Sequence, residues 1–213
     1  MAPQVILLNK PYGVICQFTP SGKHRTLKDV VPIAEVYPAG RLDTDSEGLV
    51  VLTGDGDLQH RITDPRHTLA KTYFVEVEGA PKDAALVPLR KGIQLSDYRA
   101  RPAEVALVAP PDWLWPRVPP VRFRQNIPTT WLKITIREGR NRQIRHMTAA
   151  AGFPTLRLIR HSVGPWTLAG IASGAWKIAE SSILGCNERN SGTLRPQTPH
   201  QKPFTRPSRP KKT

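Results

Sequence analysis

Residues Lys71–Glu78 alternate without a break: Tyr73, Val75 and Val77 fall on one side, Phe74, Glu76 and Glu78 on the other. A period of two is the pattern of a half-buried strand, because successive side chains of a strand point to opposite faces. Such a strand needs paired neighbours and a cover for its apolar face. The chain supplies both. Segments 5–8, 14–18, 36–37, 49–53, 104–108, 130–137, 155–159 and 175–178 are short apolar or alternating runs, separated by turn signals such as 9–13 and 54–56. Helical stretches are few and short: 26–31, 58–62 behind a capping Asp57, 82–91 weakened by Pro88, and 142–151 behind a capping Asn141. The expected class is α+β, a mainly antiparallel mixed sheet flanked by short helices.

The 213-residue chain carries 31 Lys+Arg against 17 Asp+Glu, a net +14. Seven basic residues against the single Glu188 put +6 of this in residues 187–213, so residues 1–186 keep +8. The expected domain is therefore basic in its own right and attracts a polyanion, with salt-dependent affinity from counterion release. The segment from 187 onward lacks apolar periodicity, is rich in Pro, Ser, Thr, Lys and Arg, and is expected to be a disordered basic tail. Cys16 and Cys186 form no C-x-x-C or zinc spacing, and the six histidines form no H-x-x-x-H or H-x-E pair. Neither a leader pattern nor an apolar run of about 18 residues is seen, which points to a cytoplasmic protein without membrane contact. The proline-rich stretch 109–128, with Trp113 and Trp115, is long and irregular, as functional or mobile loops are.

Two polar segments concentrate chemistry. The first is Gly40-Arg41-Leu42-Asp43-Thr44-Asp45-Ser46-Glu47-Gly48, with three carboxylates in a basic chain. A calcium loop would need Glu at its twelfth position, which is Gly54, and helices on both sides. A solvated turn, with Asp45 and Ser46 serving local backbone groups, is the alternative. A carboxylate kept where a polyanion must bind is nonetheless costly unless it is used. The second is 138–145, Glu-Gly-Arg-Asn-Arg-Gln-Ile-Arg, at an expected strand-to-helix junction. Free N–H groups, the helix dipole and the charges of Arg142 and Arg145 make an anion site there, or else a solvated helix face.

These two segments, with 71–79 and 156–164, resemble the motifs of pseudouridine synthases: G-R-L-D-x-x-[ST]-x-G-L, K-x-Y-x-V-x-V-x-G, E-G-x-x-[HR]-Q-[IV]-[RK] and L-x-R-x-x-[IV]-G. The branch resembled is the one that acts on ribosomal RNA. Segments 113–117 and 127–134 look most like members working on the 23S RNA of the large subunit. The resemblance implies a two-lobed sheet with an RNA cleft between the lobes, spanning residues 1–186. It implies no N-terminal S4-type module, since the catalytic segment starts within the first ten residues. It also implies a monomer with ribosomal RNA as partner, and no cofactor or metal.

The catalytic carboxylate maps to Asp43. Arg145 is implied as its ion-pair partner, and Tyr73 as the ring against the base and the phenol for proton transfer. Leu42 and Leu158 map to the pocket beside the uracil. Arg41, Arg140, Arg142, Arg157 and Arg160 would contact RNA, and the Trp113/Trp115 loop could stack on bases or pack on the protein. Position 142 is Arg where many relatives have His, and His146 stands where close relatives have Arg.

Overall fold

The computed structural model describes residues 4–122 and 124–179, so the basic tail and Cys186 lie outside the described residues. The strands are β1 (Val5–Lys10), β2 (Tyr37–Pro38), β3 (Glu47–Thr53), β4 (Lys71–Glu78), β5 (Glu104–Val108), β6 (Thr129–Ile136), β7 (Thr155–Val163), β8 (Trp166–Thr167) and β9 (Trp176–Ala179). The α-helices are α1 (Gly56–Thr63), α2 (Val87–Lys91) and α3 (Gln143–Ala150). The main path of the sheet runs β5-β6-β4-β7-β3-β1-β9, with β2 on β3 and β8 on β7. Every pairing among these strands is antiparallel except β3 with β7, which joins only Glu47 to Ile159 and Gly48 to Arg160. That short parallel seam divides the sheet into two lobes.

Alternation decides how the lobes are filled. On one face, Tyr73, Val75, Val77, Leu132, Ile134 and Leu158 pack with Leu86, Leu89, Ile144 and Met147 from the helical segments. On the same face of the other lobe, Ile6, Leu8, Val50 and Leu52 pack with Leu27 and Leu42. The cleft opens between these two cores. On the opposite face one core crosses the seam without interruption, from Val5, Leu7, Leu49 and Val51 to Ile159, Trp131 and Trp166.

Several expected elements shift. Segment 14–18 forms no strand; only Ile15 bridges Thr26, because Gly13 turns the chain at φ +80°. The cap of α1 is Asp55, which accepts from the amides of Asp57 and Leu58, so the helix begins before Asp57. Segment 82–91 splits into a 3-10 turn (Asp83–Leu86) and α2, with Pro88 in the first turn of α2, where its missing N–H costs nothing. Asn141 does not cap α3; the residue before that helix is Arg142, in the left-handed region at φ +50°.

Candidate active site

The cleft between the lobes has a volume of about 800 Å³ and is lined by both polar segments. The 40–46 loop forms its floor as a compact turn: Ser46 N donates to Asp43 O at 3.1 Å, and Gly13 N donates to Thr44 O at 2.8 Å. The loop is anchored at the seam by Gly48, whose φ is +104°. A Cβ at this position would collide with the backbone of Arg160, so the two strands approach this closely only because residue 48 is glycine. Asp43, about a third exposed, faces the cleft.

The guanidinium nearest Asp43 comes from Arg142, not from Arg145. Arg142 Nη1 lies 3.6 Å from Asp43 Oδ2, and its two terminal nitrogens also grip Asp45 at 3.0 and 2.8 Å. The left-handed backbone at 142 turns this side chain away from the helix it precedes, toward the loop. Arg145 pairs with Asp45 instead, donating from Nη2 to the Asp45 carbonyl at 2.7 Å and approaching its carboxylate at 3.5 Å. The expected Asp43–Arg145 contact is thus corrected: Arg145, within α3, pairs with Asp45, and Arg142, just before the helix, reaches Asp43. Burial pushes the Asp45 carboxyl up, but the Arg142 hydrogen bonds and the Arg145 charge outweigh it and hold it below the usual carboxylate range. Burial lowers the Arg145 guanidinium, opposed by Asp45.

Tyr73, Leu42 and Leu158 are buried and line the cleft as the apolar wall expected beside a base. Arg41 and Arg140 also line it and are exposed, Arg140 stacking over Tyr98 at 4.1 Å. Arg157 does not belong to the cleft. It is 4% exposed, on the opposite face, and binds the Glu47 carboxylate with Nε to Oε2 at 2.8 Å and Nη2 to Oε1 at 2.9 Å. Strand parity explains the correction: with Leu158 facing the cleft, its neighbour must face away. Arg160 does face the cleft but is buried, donating from Nε to Leu49 O at 2.7 Å and from Nη1 to Arg41 O at 3.4 Å. It braces the loop from behind instead of reaching out to phosphate. The two tryptophans fold onto the back of the sheet, Trp113 against Phe74 at 5.1 Å and Trp115 against Glu47 at 2.9 Å. His146 is exposed on α3 and does not line the cleft.

Sequence reasoning missed three groups. Lys10 is fully buried, donating from Nζ to Val14 O at 2.8 Å and Pro11 O at 3.1 Å. Burial lowers its pKa to about 8, with Cys16, Glu47, Asp45 and Asp43 acting in the opposite sense. No periodicity marks a lysine that ends an apolar strand under the loop. Glu138 and Gln143 tie the second segment together: Glu138 accepts from Gln143 Nε2 and from Arg101 N, and Gln143 Oε1 accepts from Arg140 N at 3.0 Å. Their five-residue spacing across a turn was the available signal. His60, Asp64 and His67, close together in the stretch 60–67, gather with ligand atoms within 4.8 Å of one another. The Asp64 carboxylate, however, is already gripped by Arg66.

The family model described as RNA pseudouridylate synthase matches residues 4–150, which span the loop, Tyr73, Arg142 and Arg145. The chain belongs to the RNA pseudouridylate synthase family. Among curated pseudouridine synthases, it is 56% identical over 174 residues to the ribosomal large subunit pseudouridine synthase E of Vibrio vulnificus (strain CMCP6), covering 82% of this chain and 74% of that protein. It is 35% identical over 181 residues to the ribosomal small subunit pseudouridine synthase A of Escherichia coli (strain K12), covering 82% and 70%. A crystal structure of a pseudouridylate synthase superposes with a TM-score of 0.69 at 28% identity, covering 86% of this chain and 74% of that one. As a pseudouridine synthase, the chain is an isomerase with an α+β fold and a mostly antiparallel sheet.

Proposed function

We propose that this synthase converts a uridine of the large subunit ribosomal RNA to pseudouridine, with Asp43 as the reacting carboxylate. The observation that carries the reading is the setting of Asp43. A carboxylate about a third exposed, on the floor of an 800 Å³ cleft, is flanked by an arginine at 3.6 Å and faces a wall containing Tyr73 and Leu158. The large subunit assignment rests on the 56% identity to the Vibrio vulnificus synthase E, against 35% to the small subunit synthase.

The reaction breaks the bond from uracil N1 to ribose C1′ and forms one from C5 to C1′, while the proton on C5 leaves and N1 gains one. Atoms and electrons balance with no redox partner. Asp43 serves either by attacking C1′ or by supporting elimination to a glycal; both place the carboxylate against the sugar, with the Arg142 guanidinium 3.6 Å behind it. The base must leave its stack, at a cost of a few kcal/mol. The apolar surface of Tyr73 and Leu158 receives it, and the Tyr73 phenol is the group for the closing proton shift. Arg41 and Arg140, exposed at the rim, contact the RNA backbone. The enzyme acts as a monomer in the cytoplasm, where ribosomal RNA is its partner, and needs neither cofactor nor metal.

The test is a pseudouridine map of ribosomal RNA from cells lacking the gene. One large subunit site should be lost and should return when the gene is restored. A map unchanged at every ribosomal site would overturn the assignment.

A further inference from the structure

The proline-rich 109–128 segment reaches the active loop from behind. Trp113 packs on Phe74 and on His161, at 5.1 and 5.4 Å between ring centroids. The indole N–H of Trp115 donates to Glu47 Oε1 at 2.9 Å. Arg157 closes the triangle, donating to both Glu47 oxygens and, from Nη2, to Trp115 O at 3.0 Å. Further on, Arg117 lies over the Tyr12 ring at 4.4 Å. Glu47 is 1% exposed and Arg157 4%.

A buried ion pair of this kind adds little net stability, since a well-packed apolar pair can do as well or better. What it fixes is direction. Three donors hold one carboxylate in one position, and that carboxylate belongs to the first residue of the β3–β7 seam. Asp43 stands four residues before it, across the turn closed by Ser46 N to Asp43 O. The stretch between is too short to absorb a shift at Glu47, so a displaced Glu47 displaces Asp43.

We propose that Glu47, locked by Arg157 and the Trp115 indole, is a positioning residue that sets the placement of Asp43, so that the insertion on the back of the sheet tunes the carboxylate on its front. This rests on reading Asp43 as the reacting group. Misplacement by about 1 Å can cost on the order of 100-fold in rate. Loss of one of the three donors should therefore cost less, roughly three- to tenfold.

The experiment uses the full chain and protein-free large subunit ribosomal RNA from cells lacking the gene. Single-turnover conversion at saturating enzyme is compared for wild type, Trp115→Phe, Arg157→Lys and Asp43→Asn. Trp115→Phe keeps the packing and removes the N–H. Its rate constant should fall roughly three- to tenfold, while the amplitude and the RNA dissociation constant hold. A merely structural role would lower the amplitude, because unfolded molecules drop out without slowing the rest. Arg157→Lys keeps the charge but loses the two-pronged grip and should fall further; if it does not fold, Trp115→Phe alone decides. A wild-type rate constant in Trp115→Phe, or a loss confined to amplitude or RNA affinity, overturns the proposal. Conversion by Asp43→Asn would instead overturn the reading of Asp43 beneath it.

Discussion

Replacing Gly48 by alanine tests the seam on which the site is built. Residue 48 has φ +104°, a conformation that L residues rarely adopt, at a cost of about 1–3 kcal/mol. The added Cβ would also meet the carbonyl oxygen, nitrogen and carbonyl carbon of Arg160. These are backbone atoms and cannot swing aside as a side-chain tip could. Overfilling a packed site adds about 1–3 kcal/mol, so the total is roughly 2–6 kcal/mol, against a typical domain stability of about 5–15 kcal/mol. The cheapest relief is to part β3 from β7, because only two residue pairs join them there. Parting them moves Asp43 away from the Tyr73 and Leu158 wall. Urea unfolding of Gly48→Ala followed by circular dichroism should show a loss of at least about 2 kcal/mol, and single-turnover conversion should slow at least about tenfold. A loss below about 1 kcal/mol together with a wild-type rate would refute the claim that this close approach holds the site.

Lys10 gives a pH signature. Burial lowers its pKa to about 8 in the fold, from the 10.5 of a free lysine side chain. Between these values the unfolded chain holds a proton that the folded chain has released, so this group makes stability rise with pH across that window; below about 8 its full cost remains. Urea unfolding at about pH 7.5 and 9.5 should show a gain for wild type that exceeds that of Lys10→Met by about 2 kcal/mol; equal gains would contradict a buried, charge-disfavoured lysine. Arg142→Ala should slow conversion about tenfold and let the Asp45 carboxyl titrate at higher pH, read by carbon NMR of the carboxyl groups. An unchanged Asp45 titration would show that Arg142 does not hold it.

Where one local pattern was enough, the sequence was legible. The alternation of Lys71–Glu78 gave β4, its buried face and Tyr73 on the cleft side. The apolar run at 49–53 gave most of β3, and the motif resemblance brought Asp43, Tyr73, Leu42 and Leu158 to one cleft. Legibility failed where a residue's role depends on a partner far along the chain. Arg157 read as an RNA contact because its partners Glu47 and Trp115 are 110 and 42 residues away, although strand parity already set it opposite Leu158. Arg142 and Arg145 are both charges at one end of a helix; which of them meets Asp43 depends on a left-handed backbone at 142 that nothing in the residue type requires. Lys10 ended an apolar strand and looked like part of a turn, because the carbonyls that receive its ammonium lie in the following loop.

The most direct measurement compares Asp43→Asn with wild type on the same RNA, following binding and conversion together. A neutral isostere keeps the shape of the floor and removes the charge on which the proposed chemistry depends. RNA should bind at least as tightly, since a negative charge has left a basic cleft, and no pseudouridine should form. Conversion at more than a small fraction of the wild-type rate would contradict the account at its centre.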